Sequence, residues 1–446
     1  MDSIRNAIRR RSGLWDNQDF IRFWIGETIA NFGGQLGAIA LPIIAAVTLG
    51  ASPFQMGLLG ASTNLPRMVV GIFAGTWVDR RKRRPIMINV NLLRAAVLMV
   101  IPVTSFFGHL NFGILLTVAV LLGTLSILFD SAWSAMVPNL VDRKDLADAN
   151  GKLWASMSLA QIMGPAIAGT LIAWLTGPNV LAITAIGLLS SAHFMRMIQR
   201  PEPDMSTGRQ ASAREILQNI REGYRELIRN PVVRPLTTTM FGINFGSGIF
   251  SAVFVLLLTN ELDLSTRGVG AVYAMGGFGA LVGSIVASPL AKRIGYGRVI
   301  TIGPFIQGSC NLFFTVAVFT GQMWGVALVA IGSFIGWIFL QAYDINRFSL
   351  RQAVTRPNLM GRVASSTMTI MSASMMAGAL IGGAIGSVWG LAPALALGAL
   401  VQIAAGFLTL RSPIPAIQSL PTPESIEIVP SSEMVMEETV VESDVA

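Results

Sequence analysis

The chain has 446 residues, of which 52% are hydrophobic and only 13% are charged, whereas soluble globular proteins carry about 25% charged residues. This composition excludes an ordinary soluble domain, because a water-exposed surface cannot accommodate so many apolar side chains. The net charge of +8 does not indicate a nucleic-acid-binding protein, since the basic residues are dispersed among short segments. We expect them to contact anionic membrane lipids, with no nucleic acid as a partner.

Five long stretches of the sequence contain no Asp, Glu, Lys or Arg. Because a helix needs about 20 apolar residues to cross a bilayer, each stretch is long enough for two spans, and turn residues near its midpoint separate them. Two single spans, at 236–260 and 268–291, bring the total to twelve transmembrane helices in an all-α membrane protein. The uncharged stretches are 28–66, 95–129, 153–195, 299–343 and 363–410.

The positions of the basic residues predict the orientation of these spans. Lys and Arg lie in the N-terminal segment and after every second span, whereas the opposite connections contain only Arg267. Positive residues near span ends stay on the cytoplasmic side, so both termini are expected to be cytoplasmic in a multi-pass protein of the cell (plasma or inner) membrane. Residues 1–17 have no apolar core, and we expect no cleavable signal peptide.

A hydrophilic segment at 200–235 divides the chain into halves of six spans each. Its apolar residues recur at helical spacing with arginines between them, which predicts an amphipathic helix on the cytoplasmic membrane face; a plain solvated linker is the alternative. After Arg411 seven acids and no basic residue follow, which predicts a disordered acidic tail. The expected parts are a cytoplasmic segment 1–19, a bundle 20–199, a linker 200–235, a bundle 236–411 and a tail 412–446.

The two halves of the chain repeat each other at a constant displacement. Asp130 corresponds to Asp344, and the segment 164–169 corresponds to 378–383, in both cases 214 positions apart. Residues 141–146 match 354–359 at a displacement of 213. Repeated bundles with a substrate site between them are typical of secondary transporters.

Two motifs carry a family resemblance. Residues 75–84, with Gly75, Asp79, Arg80, Arg83 and Arg84, resemble the loop signature G-x-x-x-D-R-x-G-R-R of the major facilitator superfamily, with Lys82 at the second glycine. In span five, Gly164, Pro165 and Gly169 are similar to a motif of exporters that exchange a drug for protons, with Ala160 and Ala168 where glycines are usual. Ordinary close helix packing is the alternative interpretation of the second motif.

The resemblance to the major facilitator superfamily extends over about residues 20–411, and residues 136–150 and 347–362 are similar to macrolide-efflux and siderophore-export proteins. It implies two six-helix bundles, alternating access, and proton-coupled export of a hydrophobic or amphipathic small molecule by a monomer. It also implies that Asp79 acts as a latch on the start of span eleven and favours the outward-facing state. The alternative for the arginines of this motif is that they only set the orientation of the spans. A siderophore or lipid exporter, or an importer of this fold, remains open.

A membrane-embedded enzyme is the competing class of function. The sequence has no phosphate-binding loop and no H-E-x-x-H metal pair, and its single cysteine, Cys310, excludes an intramolecular disulfide. We therefore expect no enzymatic activity, no cofactor and no metal.

Charged residues inside the predicted spans are the main functional candidates, because a charge in hydrocarbon is costly unless it is paired or hydrated. Glu27, about two turns into span one, is predicted to bind and release the driving proton. A static ion pair with Arg67 or Arg94 is the alternative. Arg67 would also suit an anionic substrate.

Four further charged residues suggest a gate. Asp130 and Asp344 lie near the cytoplasmic ends of spans four and ten, where a network with Arg80 or Arg362 is favoured over substrate contact. The polar residues Asn31, Asn64 and Gln161 are candidates for lining a central cavity, and hydrogen bonding between helices is the alternative.

Overall fold

The structure is a computed structural model that describes residues 14–70, 78, 81–202, 213–356 and 359–420. In these residues it contains thirteen long helices and no strands. Two of them, α1 and α8, continue as π-helical turns, at Ile44–Thr48 and Leu257–Glu261. The helices are α1 (Gln18–Ile43), α2 (Pro53–Val69), α3 (Arg83–Phe106), α4 (Phe112–Leu140), α5 (Leu146–Leu175), α6 (Gly177–Arg196), α7 (Ala213–Arg229), α8 (Val233–Leu256), α9 (Thr266–Ile294), α10 (Tyr296–Ala317), α11 (Gln322–Val354), α12 (Met360–Trp389) and α13 (Leu391–Leu410).

Local sequence determines where several helices begin. Ser52 and Gln55 form a reciprocal capping box at the start of α2, with Pro53 at the first helical position, where its missing N–H costs nothing. Asn111 accepts a hydrogen bond from the N–H of Ile114 at the start of α4 (3.1 Å). Gly390 separates α12 from α13 at a φ of 90°, which favours glycine because it has no Cβ.

Eleven of the described helices are long and apolar enough to cross a membrane. The predicted second span corresponds to α2, of which 17 residues are described up to Val69, and residues 71–77, 79 and 80 lie outside the description. The all-helical membrane fold is therefore confirmed. The total of twelve spans stays a prediction.

Exposed aromatic side chains gather at one set of helix ends. We call these ends the aromatic face; they carry Phe106, Trp174, Phe319, Trp324 and Trp389, each more than 60% exposed. Tryptophan and other aromatic residues concentrate where a membrane meets water. The opposite ends, called the basic face, carry Arg84, Arg196, Arg298, Arg351 and Arg411.

Helix contacts fall into two groups that meet along a seam. In the first half of the chain α1 packs on α5 and α6, and α3 packs on α4 and α6. In the second half α9 and α10 pack on α11, and α13 packs on α8 and α10. Across the seam, α2 contacts α12 and α8, and α5 contacts α9.

Two interactions tie α3 to α6 at the basic face. The carboxylate of Glu202 accepts hydrogen bonds from the backbone N–H groups of Arg83 (2.5 Å) and Arg84 (2.8 Å) at the start of α3. The guanidinium of Arg84 donates to the carbonyl oxygens of Met195 (2.8 Å) and Arg196 (2.5 Å) at the end of α6. Both satisfy backbone groups that a helix end leaves unpaired, with charges of the sign that the helix dipole favours.

The residues that follow α13 fold back beneath the second half. The carbonyl oxygen of Ile417 accepts a hydrogen bond from the N–H of Gly297 at the start of α10 (2.9 Å). Ile414 is completely buried against Leu236 of α8 and Leu350 of α11. This segment is thus part of the packed structure.

The linker contains the helix α7, which packs on α12 and α8. Leu227 is buried with Val233 and Val363, and Glu222 forms an ion pair with Arg362 at the start of α12. One apolar side of α7 is therefore covered by the protein, whereas Ile228 remains 64% exposed.

Candidate functional site

The carboxyl group of Glu27 in α1 lies in a buried cluster of charged residues. The side chain is 4% exposed, and Oε1 has no hydrogen-bond partner among the described residues. Arg94 of α3 and Asp130 of α4 act on it by their charges, and the indole of Trp133 lies beside it. Glu27 thus lies among α1, α3 and α4, on a different side of α1 from Gly26, which packs against Ser191 of α6.

Arg94 is held mainly by neutral groups. Its Nη1 lies 3.5 Å from Oδ1 of Asn91, and Asn91 in turn donates to Oγ of Ser191 in α6 (3.1 Å). The guanidinium carbon is 5.5 Å from the centre of the Phe129 ring, a geometry that stabilises a cation. Its Nε is buried without a partner in the described part of the chain.

Arg67 and Asp130 connect this cluster to a more open region. Nη2 of Arg67 in α2 lies 3.4 Å from Oδ2 of Asp130 in α4, and the two side chains are 43% and 62% exposed. Within the described residues, neither Arg67 nor Arg94 forms an ion pair with Glu27. Glu27 is therefore buried at one side of this cluster, whereas Asp130 and Arg67 are both partly exposed.

The second half has its own ion pair at the related position. Nη2 of Arg347 lies 2.9 Å from Oδ1 of Asp344, and Nη1 lies 3.3 Å from Sδ of Met240 in α8. The Arg347 guanidinium also lies 5.7 Å from the centre of the Tyr343 ring. Sequence reasoning assigned Arg347 only to the basic connections, although its position three residues after an acid on one helix predicts this pair.

The remaining gate and latch candidates have different surroundings. Arg362 pairs with Glu222 of α7, so neither Asp130 nor Asp344 has Arg362 as its partner. Arg83 and Arg84 take part in the contacts between α3 and α6 described above. Gly75, Asp79 and Arg80 lie outside the described residues, and the latch stays a prediction.

Only some of the polar residues that could line a central cavity form hydrogen bonds that account for them. Nδ2 of Asn64 donates to the carbonyl of Gly60 in its own helix (3.1 Å), Asn31 is half-buried, and Gln161 is exposed beside the seam. Asn311 donates to Gln402 in a neighbouring helix (2.6 Å). In the residues that the structure describes, no group of three or more His, Cys, Asp or Glu side chains could hold a metal ion.

Glycines bring the halves together near the aromatic face. A methyl group placed on Gly169 of α5 would lie 2.6 Å from the Cα atom of Gly270 in α9, and one on Gly57 of α2 would lie 3.0 Å from that of Gly383 in α12. Such distances leave no room for a side chain. The motif glycine Gly164 has another neighbour, because a methyl group there would lie 2.5 Å from Cβ of Gln35 in α1.

The two glycine pairs are related by the sequence repeat. Gly270 follows Gly57 by 213 positions and Gly383 follows Gly169 by 214, so the repeat relates the two pairs, and each pair joins one glycine from each half. Two contacts strengthen this end of the seam. The N–H of Phe54 donates to Oγ of Ser387 (2.8 Å), and the guanidinium of Arg267 lies 5.8 Å from the centre of the Trp174 ring.

Comparisons with known proteins agree with this architecture. The family model described as transmembrane secretion effector matches residues 14–444. An uncharacterized MFS-type transporter of Sinorhizobium fredii is 22% identical over 364 residues, which cover 81% of this chain and 87% of that protein. Macrolide efflux protein A of Enterococcus faecalis is 24% identical over 331 residues, which cover 74% of this chain and 99% of that protein.

Solved structures with the same helical fold include two transporters. The crystal structure of the nucleoside transporter NupG matches with a TM-score of 0.70 at 11% identity, over 88% of this chain and 98% of that one. A bacterial homologue of the iron transporter ferroportin in an inward-facing state matches with a TM-score of 0.69 at 15% identity, over the same shares. At these identities the likeness shows a common fold.

Proposed function

The chain belongs to the transmembrane secretion effector family of major facilitator transporters, and on this basis we propose that it exports a hydrophobic or amphipathic small molecule in exchange for protons. The chain is a multi-pass protein of the plasma membrane, as its family and its spanning helices indicate. In the proposed arrangement twelve spans form two six-helix bundles, divided at residues 200–235, and the basic face is cytoplasmic. The similarity to macrolide efflux protein A supports export as the direction.

The seam supports alternating access as the mechanism. Its glycine contacts lie near the aromatic face, which is the outer side in the proposed orientation. The Arg67–Asp130 pair, by contrast, is partly exposed and lies toward the basic face. We therefore assign this structure to a state that is closed outside and accessible from the cytoplasm, and transport requires the glycine contacts to separate.

The observation on which proton coupling rests is the burial of Glu27 without an ion pair. In a low-dielectric interior the negative charge of a carboxylate is costly, and it is either removed by uptake of a proton or balanced by a close cation. Arg94 is the cation that acts on Glu27, and Asp130 competes with Glu27 for it, whereas Arg67 pairs with Asp130. A change in the distance between α1, α3 and α4 would therefore alter whether Glu27 holds its proton, which links protonation to conformation.

The exchange of Glu27 for Gln tests this proposal, because Gln keeps the size and polarity of a protonated acid and cannot release a proton. Inverted vesicles that contain the purified protein would receive a compound panel under an imposed pH gradient. We expect the Glu27→Gln variant to lose gradient-driven transport and to retain exchange of labelled for unlabelled compound. Glu261→Gln, at an exposed acid near the aromatic face, is the matched control and should behave as the native chain does.

Two outcomes would contradict separate parts of the proposal, namely the role of Glu27 and the direction of transport. Gradient-driven transport that persists unchanged in Glu27→Gln removes Glu27 as the coupling group. Transport that requires the opposite gradient, or that the gradient does not affect, indicates an importer or an uncoupled carrier of the same fold. A panel that includes siderophores and lipids separates those substrates from macrolide-type compounds.

A further inference from the structure

A groove of about 600 Å³ lies between α7, α8 and α12, away from the charged cluster around Glu27. Its walls are largely apolar, with Leu227 and Ile228 from α7, Phe241 from α8, Ile370 from α12 and Leu408 from α13. This volume falls within the range of roughly 300–1,000 Å³ that is typical of small-molecule sites. It is therefore large enough to hold a ligand.

Three apolar side chains of the groove are exposed: Ile228 by 64%, Phe241 by 46% and Leu408 by 53%. In a transporter that spans a bilayer, we expect apolar side chains exposed in this way to contact acyl chains. Phe241 lies eight residues into α8, which is roughly 12 Å from its basic-face end at a rise of about 1.5 Å per residue. The hydrocarbon core is about 30 Å thick, so the groove lies at the depth of one leaflet.

The charge at the basic end of the groove is positive. Arg234 lines the groove, is exposed, and forms no ion pair with a described residue. Of the described acids of α7, Glu222 pairs with Arg362 and Glu226 accepts a hydrogen bond from Asn230 (3.0 Å). The Arg234 guanidinium is therefore an exposed cation at this end of the groove without an ion pair among the described residues.

We propose that this groove binds one anionic phospholipid of the cytoplasmic leaflet. The phosphate contacts Arg234, and an acyl chain lies along Phe241, Ile370 and Leu408. Arginine suits this role because its planar guanidinium can donate two hydrogen bonds to a phosphate. A headgroup without an ammonium group is favoured, since an ammonium would be repelled by Arg234. The assignment rests on the proposed orientation of the basic face and is independent of which compound is transported.

Photo-crosslinking in vesicles tests the assignment. The full-length protein would be reconstituted with a trace of phosphatidylglycerol or phosphatidylcholine that carries a photoreactive acyl chain, and labelled peptides would be identified by mass spectrometry. We expect phosphatidylglycerol to label the peptides that contain Phe241 and Ile370 about fivefold more than phosphatidylcholine does, the ratio that one arginine near the surface supplies. Arg234→Gln should remove this preference.

Matched variants separate charge from packing. Arg356→Gln changes another exposed arginine of the basic face outside the groove and should retain the preference. Ala373→Phe fills the groove and should abolish labelling of both peptides, whereas Ala392→Phe, at the other end of α13, should not. The proton-coupling variant Glu27→Gln should bind phosphatidylglycerol normally, so this assignment and the transport mechanism can fail separately.

Three results would overturn the proposal. One is equal labelling by the two lipids in the native protein, and another is an unchanged preference in Arg234→Gln. The third is loss of labelling when a transported compound is added, which would make the groove part of the transport route.

Discussion

Gly169 of α5 and Gly270 of α9 approach each other across the seam so closely that neither position can accept a side chain. Their counterparts in the repeat, Gly383 of α12 and Gly57 of α2, make the equivalent contact. In the proposed alternating-access cycle, these two related glycine pairs close the outer side. We therefore expect substitutions at these positions to act on the equilibrium between states more than on the fold of either half.

A large side chain at the first pair should open the outer side. We expect Gly169→Leu to reduce export strongly, because overpacking costs about 1–3 kcal/mol in the state in which α5 meets α9. Spin labels on cysteines at Phe54 and Val388, in a Cys310→Ser background, report the separation of α2 and α12 at the aromatic face. Their distance should increase in Gly169→Leu.

Gly151 provides the control, since it lies in the same helix and has open space around its Cα atom. Gly151→Leu should leave both the spin-label distance and export unchanged. If the two leucine variants gave the same distance, the glycine contact would not control the outer side.

Loss of the Arg67–Asp130 pair should affect transport much more than stability. Partly exposed ion pairs contribute about 0–1 kcal/mol, so Asp130→Asn should change the apparent Tm in detergent by no more than about 2 °C. The same change removes the acid that competes with Glu27 for Arg94, and we expect a shifted pH dependence of export. Asp148→Asn, at an exposed ion pair with Lys152, is the control; an identical pH profile in both variants would contradict the prediction.

Glu202 should contribute to stability without a role in transport. Its carboxylate caps the first turn of α3, and loss of such a cap costs about 1 kcal/mol. We expect Glu202→Gln to lower the apparent Tm by about 2 °C and to leave the substrate concentration at half-maximal transport unchanged. An altered substrate dependence with no change in Tm would indicate that Glu202 acts in the transport cycle.

Gly223 controls the docking of α7. A methyl group at this position would lie 2.6 Å from the carbonyl oxygen of Arg362, so Gly223→Leu should displace α7 from α12. Hydrogen exchange of the backbone amides at 221–229 should become faster, because the buried side of the helix is exposed. Gly361→Leu, with open space around its Cα atom, is the control, and equally fast exchange in both variants would contradict the prediction.

The sequence predicted an all-helical membrane protein correctly, because the thickness of the bilayer sets the length of its apolar spans and charged residues are largely confined to the ends of those spans. The resemblance to the major facilitator superfamily is confirmed by the match over residues 14–444. The uncharged stretch 363–410 was predicted to contain two spans, and Gly390 separates α12 from α13 within it.

Partners of the charged residues were harder to predict. Sequence gives the depth of Glu27, Arg67 and Arg94 in the membrane, but the direction in which each side chain points depends on how the helices pack. The pairing of Arg67 with Asp130 and of Arg362 with Glu222 therefore required the structure. The roles of these residues in gating and coupling stay predictions.

The sequence contains a signal for the seam glycines that residue type alone does not reveal. Small residues are frequent in membrane helices, so Gly57 and Gly270 do not stand out by residue type. The repeat displacement of 213 positions relates them, and the same search paired Gly169 with Gly383. A search for glycines that recur at the repeat displacement would have found all four positions, whereas their pairing across the seam required the structure.

The fold of the residues after α13 determines where the chain can be altered for experiments. Because Ile414 fills the base of the second half and Ile417 caps α10, truncation at Arg411 would leave backbone donors unpaired and expose apolar side chains. A fluorescent reporter or purification tag is therefore best fused beyond Leu420, where the described packing ends.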